Sequence, residues 1–142
     1  MQIRKLFILL LGLVLLSSFA TAQSSSAMYK EAQKVFKKYR YQVDFADFQL
    51  KTYQESGETV LQLLVIINSG RNRFDEAMKI GFAASGAAIY KTDAEVDRVS
   101  VVVKIRYKEE ESIAATADSR DVIKLYKGEM HSAEFMGRLT WY

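Results

Sequence analysis

The sequence predicts an α+β domain in which a mostly antiparallel sheet of four to five strands has helices packed on one face. Apolar residues recur at helical spacing in three segments, and two pairs of strand-like segments with short polar turns lie between them. The predicted order is helix, hairpin, helix, hairpin, helix, and residues 138–142 can add a final short strand. Because the helices separate strand pairs rather than single strands, the pattern favours α+β over strictly alternating α/β folds.

Residues 1–22 have the pattern of a cleaved signal peptide. Two basic residues precede an apolar core over residues 6–16, and residues 20–22 (Ala-Thr-Ala) are the small residues that a signal peptidase accepts. The alternative is a retained membrane anchor, but the apolar stretch over residues 6–19 is shorter than the roughly 20 residues that span a bilayer. We therefore expect an exported chain, periplasmic or secreted, that starts at residue 23 and has no stable membrane insertion after cleavage.

The composition argues against a nucleic-acid partner and against stabilisation by disulfides. Removal of Arg4 and Lys5 with the signal leaves 18 basic residues against 17 acidic ones, so the net charge falls from +3 to +1. A nearly neutral chain has no general attraction for nucleic acid, and we expect no such partner. The chain has no cysteine, so burial rather than disulfides must stabilise it. We expect a flexible serine-rich lead over residues 23–27 and a single domain over residues 28–142.

The first predicted helix is basic and amphipathic. Such a helix can lie on a membrane surface, but its modest apolar face favours docking on its own domain.

Residues 41–54 then alternate between apolar and polar with a slip in phase, which indicates a strand with a bulge near Ala46-Asp47. Ser56-Gly57 fits the turn of the first hairpin. The apolar positions of the first predicted helix, which precedes this hairpin, are Met28, Ala32, Val35, Phe36 and Tyr39.

Two long strands are predicted to lie at the centre of the sheet. In the strand over residues 59–67 alternate residues face the helices, which leaves Leu64 and Ile66 on the opposite face. Val102, in the alternating strand over residues 98–107, is predicted to join them. An exposed apolar sheet face of several hundred Å² indicates an interface. The alternative is that the C-terminal segment, with its last two aromatic residues, folds back over this face.

A glycine turn with two arginines precedes the second helix. Ser69, Gly70, Arg71 and Arg73 are candidate ligands for an anion, because a helix N-terminus presents free N–H groups and a partial positive charge. No phosphate-binding GxxxxGK[ST] or GxGxxG motif is present. That absence favours the alternative of a capped helix start with solvated arginines.

The second predicted helix, over residues 74–90, is apolar on nearly every side. Such a helix is buried on more than one face. Gly81 and Gly86 each cost about 1 kcal/mol relative to alanine inside a helix, so close packing must offset them. The packing partner is either the domain's own sheet and first helix or another subunit.

The remaining elements are short. Residues 112–117 are predicted to be the return strand of the second hairpin, and Asp118 or Ser119 is predicted to cap a third helix. Gly128 suits the C-terminal cap of that helix. Residues 132–136 have room for one more helical turn.

Catalytic motifs are missing from the sequence. His131 is the only histidine, and without cysteine or a second histidine neither zinc nor thiol chemistry is expected. The pair Asp44 and Asp47 could serve acid–base chemistry on a glycan, and residues 93–97 (DAEVD) loosely resemble a cation loop without EF-hand spacing. Solvated turn residues explain both groups more simply, and we expect no cofactor and no metal.

The order of elements resembles that of small secretion-chaperone-type domains in layout only, with no shared motif, and those proteins are cytosolic. The sequence therefore favours a non-enzymatic binding module of the cell envelope or extracellular space, acting as a homodimer or with an envelope protein. The alternative is a small anionic-ligand binder or weak hydrolase that uses the helix start between Gly70 and Arg73.

Overall fold

The computed structural model describes residues 26–41, 48–67, 74–106 and 112–142. Within these residues the order of elements agrees with the predicted layout. In chain order they are α1 (residues 26–38), β1 (Gln49–Glu55), β2 (Glu58–Ile67), α2 (Phe74–Thr92), β3 (Arg98–Ile105), β4 (Ser112–Asp118), α3 (Ser119–Lys127), α4 (Ser132–Gly137) and β5 (Thr140–Trp141).

The five strands form one sheet in the order β1-β2-β3-β4-β5. β2 and β3 are parallel, and the other three neighbouring pairs are antiparallel. The predicted α+β class and the mostly antiparallel sheet are confirmed, and the one parallel pair makes the sheet mixed. The reason is the length of α2: its 19 residues span about 28 Å, enough to carry the chain back to the end where β2 begins. β3 therefore runs beside β2 in the same direction.

The core lies between the sheet and the helices on one side of it. One cluster of buried side chains combines residues of α1 and α2 with alternate residues of β2 and β3. The strand residues that enter this cluster are Leu61, Leu63, Val65 and Ile67 of β2 and Val99, Val101, Val103 and Ile105 of β3. The predicted placement of helices on one face is thus explained by the period-two alternation of the two central strands.

α1 packs on its own domain. Its apolar residues Met28, Ala32, Val35 and Phe36 belong to the core cluster, while its lysines are exposed. The helix ends where Arg40 adopts a left-handed conformation (φ 52°) and the Tyr41 N–H donates to the Phe36 carbonyl at 3.1 Å. The helix includes residues 26 and 27, which the sequence analysis assigned to the flexible lead.

The turns follow the predicted chemistry where they lie within the described residues. Ser56 (φ 51°) and Gly57 (φ 81°) form a two-residue turn closed by the pair Glu55 and Glu58, and two positive φ angles are the mark of a type I′ hairpin. Gly128 (φ 74°) ends α3 with its N–H directed at the carbonyls of the last turn. The predicted bulge near residues 46 and 47 lies outside the described residues.

Candidate binding surfaces

The sheet has a second face, here called the open face, that points away from the core cluster. β2 and β3 place Leu64 directly opposite Val102, with Ile66 two residues further along β2. All three are half-buried. The structure therefore brings the three predicted interface residues into one continuous apolar patch.

Ala114 of β4 extends this apolar patch, since it pairs with Val102 on the side away from Leu64. Ala114 was not predicted as part of this patch, because an alanine among the small and polar residues of β4 has no distinctive pattern. The next row across the sheet is polar: Lys51, Gln62, Ser100, Thr116 and Thr140. The open face thus combines an apolar strip with a strip of amide and hydroxyl groups.

The C-terminal segment does not cover the apolar patch. β5 pairs with β4 at the edge of the sheet, where Trp141 lies opposite Ala115 and the Tyr142 N–H donates to the Ala114 carbonyl at 2.8 Å. Leu64 is two strands away from β4. Tyr142 remains 73% exposed, so the segment extends the open face at its edge rather than folding over it.

Charged residues lie at both ends of the open face. At one end the Arg98 guanidinium donates to Glu58, with Nε at 2.9 Å from the carboxylate. This hydrogen bond and the charge of Glu58 raise the pKa of Arg98 above its ordinary value. Exposed Glu55 lies at the same end, opposite Glu58, and exposed Lys104 lies at the other end, opposite Ile66.

A groove of about 470 Å³ lies on the helical side of the molecule. It was not predicted, because its walls come from the end of α1, the first half of α2, α3 and the start of α4. Ile80, Ala83 and Leu125 supply apolar surface, and charged residues of α2 stand among the other lining residues. The complete lining is Tyr39, Asp75, Glu76, Lys79, Ile80, Ala83, Leu125 and Ser132.

The predicted anion site lies outside the described residues. This applies to Ser69, Gly70, Arg71 and Arg73, and the proposed anion binding remains a prediction. The described part of α2 begins at Phe74 and carries two acidic residues in its first turn.

The glycines of α2 are explained by packing inside the domain. A methyl group at Gly81 would lie 2.8 Å from a side-chain carbon of Val101 in β3, and one at Gly86 would lie 2.6 Å from the backbone oxygen of Val122 in α3. The close partners are therefore the domain's own sheet and α3, rather than α1. Ser85, the buried polar residue between them, donates to the Gly81 carbonyl at 2.8 Å.

The residues considered for catalysis have structural roles where they are described. The Nδ1 atom of His131 accepts from the Ala133 N–H at 3.2 Å and caps α4. Asp97 accepts from the Thr59 N–H at 2.8 Å and ties β2 to the start of β3. Asp93 adopts a left-handed conformation (φ 54°) after α2, whereas Asp44 and Asp47 lie outside the described residues.

No group of three or more potential metal ligands occurs in the described part of the chain. None of the helices described there has the length and apolar character needed to cross a membrane. The chain matches no family model, no curated protein and no solved structure. Its function must therefore be argued from these surfaces.

Proposed function

We propose that this protein is an exported, non-enzymatic binding module that associates with a second copy of itself through the open face of the sheet. The observation that carries the proposal is the contiguous patch of Leu64, Ile66, Val102 and Ala114 on a face opposite the core cluster. The free energy falls when a partner removes the apolar side chains of such a patch from water.

The size of the open face supports a weak to moderate dimer. Four of the strands are seven to ten residues long, and side by side they form a face roughly 20 Å wide and 23 Å long. Packing two such faces buries on the order of 1,000 Å² in total, which is near the lower limit for specific protein interfaces. Sheets pack face to face about 10 Å apart, so a second copy offers a partner of matching shape.

The charges of the open face also favour self-association. At one end Glu55 and Glu58 outnumber Arg98, which pairs with Glu58, and Lys104 lies at the other end. A two-fold axis that runs across the strands reverses the strand direction of the second copy. Such an arrangement places the basic end of one protomer over the acidic end of its partner, which sets the orientation of an isologous dimer.

Substitution Leu64→Glu tests this proposal. We expect residues 23–142 to sediment as a concentration-dependent dimer, because both copies bury the apolar patch. Leu64→Glu should shift the protein to monomer, since it would place two buried carboxylates in the interface. Sedimentation equilibrium up to several hundred micromolar measures the mass, and far-UV circular dichroism reports whether the monomer is folded.

Thr52→Glu is the matched control. Thr52 is an exposed residue of β1 that points to the face opposite Lys51, and Lys51 belongs to the open face. The substitution Thr52→Glu therefore adds the same charge away from the open face. The control should still dimerise. A wild-type protein that stays monomeric at the highest concentration, or a Leu64→Glu variant that dimerises like the wild type, would show that a second copy does not occupy this face.

A further inference from the structure

The groove on the helical side has the size of a small-molecule site. Its volume of about 470 Å³ lies within the range of known ligand pockets. Ile80 is only 6% exposed and forms part of an apolar floor with the half-buried Ala83 and Leu125. This floor can hold a short hydrocarbon or aromatic group.

The rim of the groove has the chemistry that recognises an ammonium group. Asp75 and Glu76 present two exposed carboxylates, and Tyr39, which is 59% exposed, presents an aromatic ring. Carboxylates attract a cation directly, and the face of an aromatic ring attracts it through its quadrupole. Neither carboxylate takes part in an ion pair of the described residues, so both are available to a ligand.

We infer that the groove binds a small amphipathic cation, with the hydrocarbon body on Ile80, Ala83 and Leu125 and the ammonium group between Tyr39 and the two carboxylates. The inference does not depend on the proposed dimer, because these residues lie on the helical side of the sheet. Lys79 also lines the groove and opposes a cation there. The two carboxylates outweigh this positive charge together with the partial charge of about +0.5 at the start of α2.

A series of probes with similar alkyl chains and different head groups tests the role of charge. Hexyltrimethylammonium, hexan-1-ol and hexanoate carry similar chains with a positive, neutral and negative head. We expect hexyltrimethylammonium to bind roughly three- to tenfold more tightly than hexan-1-ol, and hexanoate to bind most weakly. Titration followed by amide chemical shifts in NMR gives each dissociation constant and locates the site by shifts of residues that line the groove.

Two neutralising substitutions should act in opposite directions. Glu76→Gln should weaken hexyltrimethylammonium binding roughly two- to fivefold, and Lys79→Gln should strengthen it by a similar factor. Both side chains are exposed, so the fold should persist. Glu95→Gln is the matched control: it removes one exposed negative charge beyond the opposite end of α2 and should leave binding unchanged.

Four results would overturn the inference. They are equal binding of hexan-1-ol and hexyltrimethylammonium, tightest binding by hexanoate, chemical-shift changes that map away from the groove, and equal effects of Glu76→Gln and Glu95→Gln. Repeating the titration with the Leu64→Glu variant distinguishes this inference from the dimer proposal. Binding to that variant should match the wild type whether or not the wild type dimerises.

Discussion

The two faces of the sheet are built from the same strands but have different environments. Leu63 of β2 is fully buried beneath the helices, whereas its neighbour Leu64 is half-buried on the open face. Fully burying a leucine side chain contributes about 1.5–3 kcal/mol. The covered face therefore stabilises the fold, whereas Leu64, Ile66 and Val102 on the open face have surface left to bury against a partner.

Substitution of the two neighbouring leucines tests this comparison, and it has the largest expected effect. Leu63→Ala should lower the free energy of unfolding by roughly 2–5 kcal/mol, because it removes buried atoms and leaves a cavity. Leu64→Ala should cost less, about 0.5–2 kcal/mol in the monomer, since its side chain is only partly buried. Urea denaturation at a protein concentration low enough to keep the chain monomeric gives both values.

Similar losses for the two leucines would mean that the open face is packed like the core, which contradicts the comparison. Repeating the measurement at high protein concentration adds the contribution of association. If the open face binds a second copy, the cost of Leu64→Ala should increase with concentration while that of Leu63→Ala changes less.

Close packing on the helical side of the sheet should also make stability sensitive to added side-chain volume, and substitution of Gly86 tests this. Gly86→Ala should lower the free energy of unfolding by about 1–3 kcal/mol, because the new methyl group would meet the Val122 carbonyl and the side chain of Tyr126. The better helix propensity of alanine, about 1 kcal/mol, offsets only part of this cost. Thermal unfolding of the variant measures the net change.

Gly137 is the matched control for Gly86. It also lies in a helix, α4, but an added methyl group there meets no atom within 4 Å. Gly137→Ala should be neutral or slightly stabilising. A stabilising Gly86→Ala would show that α2 and α3 can separate without cost, and the close contact would then not explain the glycine.

Much of the fold could be predicted from local patterns. Residues 59–67 are nearly all apolar, so the strand period of two predicted which residues of β2 share a face but not which face the helices cover. Helical spacing predicted α1 and α2. The one parallel pair, β2 with β3, was not predicted, because parallel and antiparallel strands show the same alternation of side chains. The mixed sheet follows instead from the length of α2.

The two candidate surfaces also differ in whether the sequence alone could predict them. Leu64 and Ile66 are two residues apart in one strand, so the sequence alone places them on one face. The groove combines Tyr39, which directly follows α1, with Ile80 of α2 and Leu125 of α3. Their proximity depends on how the helices pack, and no short sequence motif carries that information.

The link between β4 of the sheet and α3 on its helical side has the smallest predicted effect on the free energy of unfolding. Asp118 ends β4 and caps α3 by accepting from the Arg120 N–H at 2.9 Å. The Arg120 side chain also donates to this carboxylate, and that hydrogen bond is the main reason that the pKa of Asp118 lies below its ordinary value. Asp118→Ala should lower the free energy of unfolding by about 0.5–2 kcal/mol near neutral pH.

The pH dependence of the Asp118→Ala effect identifies the charged form of the cap. Because the folded-state pKa is lower than the unfolded value of about 3.9, the stabilisation is complete above the unfolded value and is lost as the pH falls through the folded-state pKa. The difference between wild type and Asp118→Ala should therefore shrink on acidification. Asp118→Asn keeps a neutral capping oxygen, so its advantage over Asp118→Ala should not change with pH. A wild-type advantage over Asp118→Ala that stays constant down to the lowest pH would mean that the neutral cap alone stabilises α3, and that the ion pair with Arg120 contributes nothing.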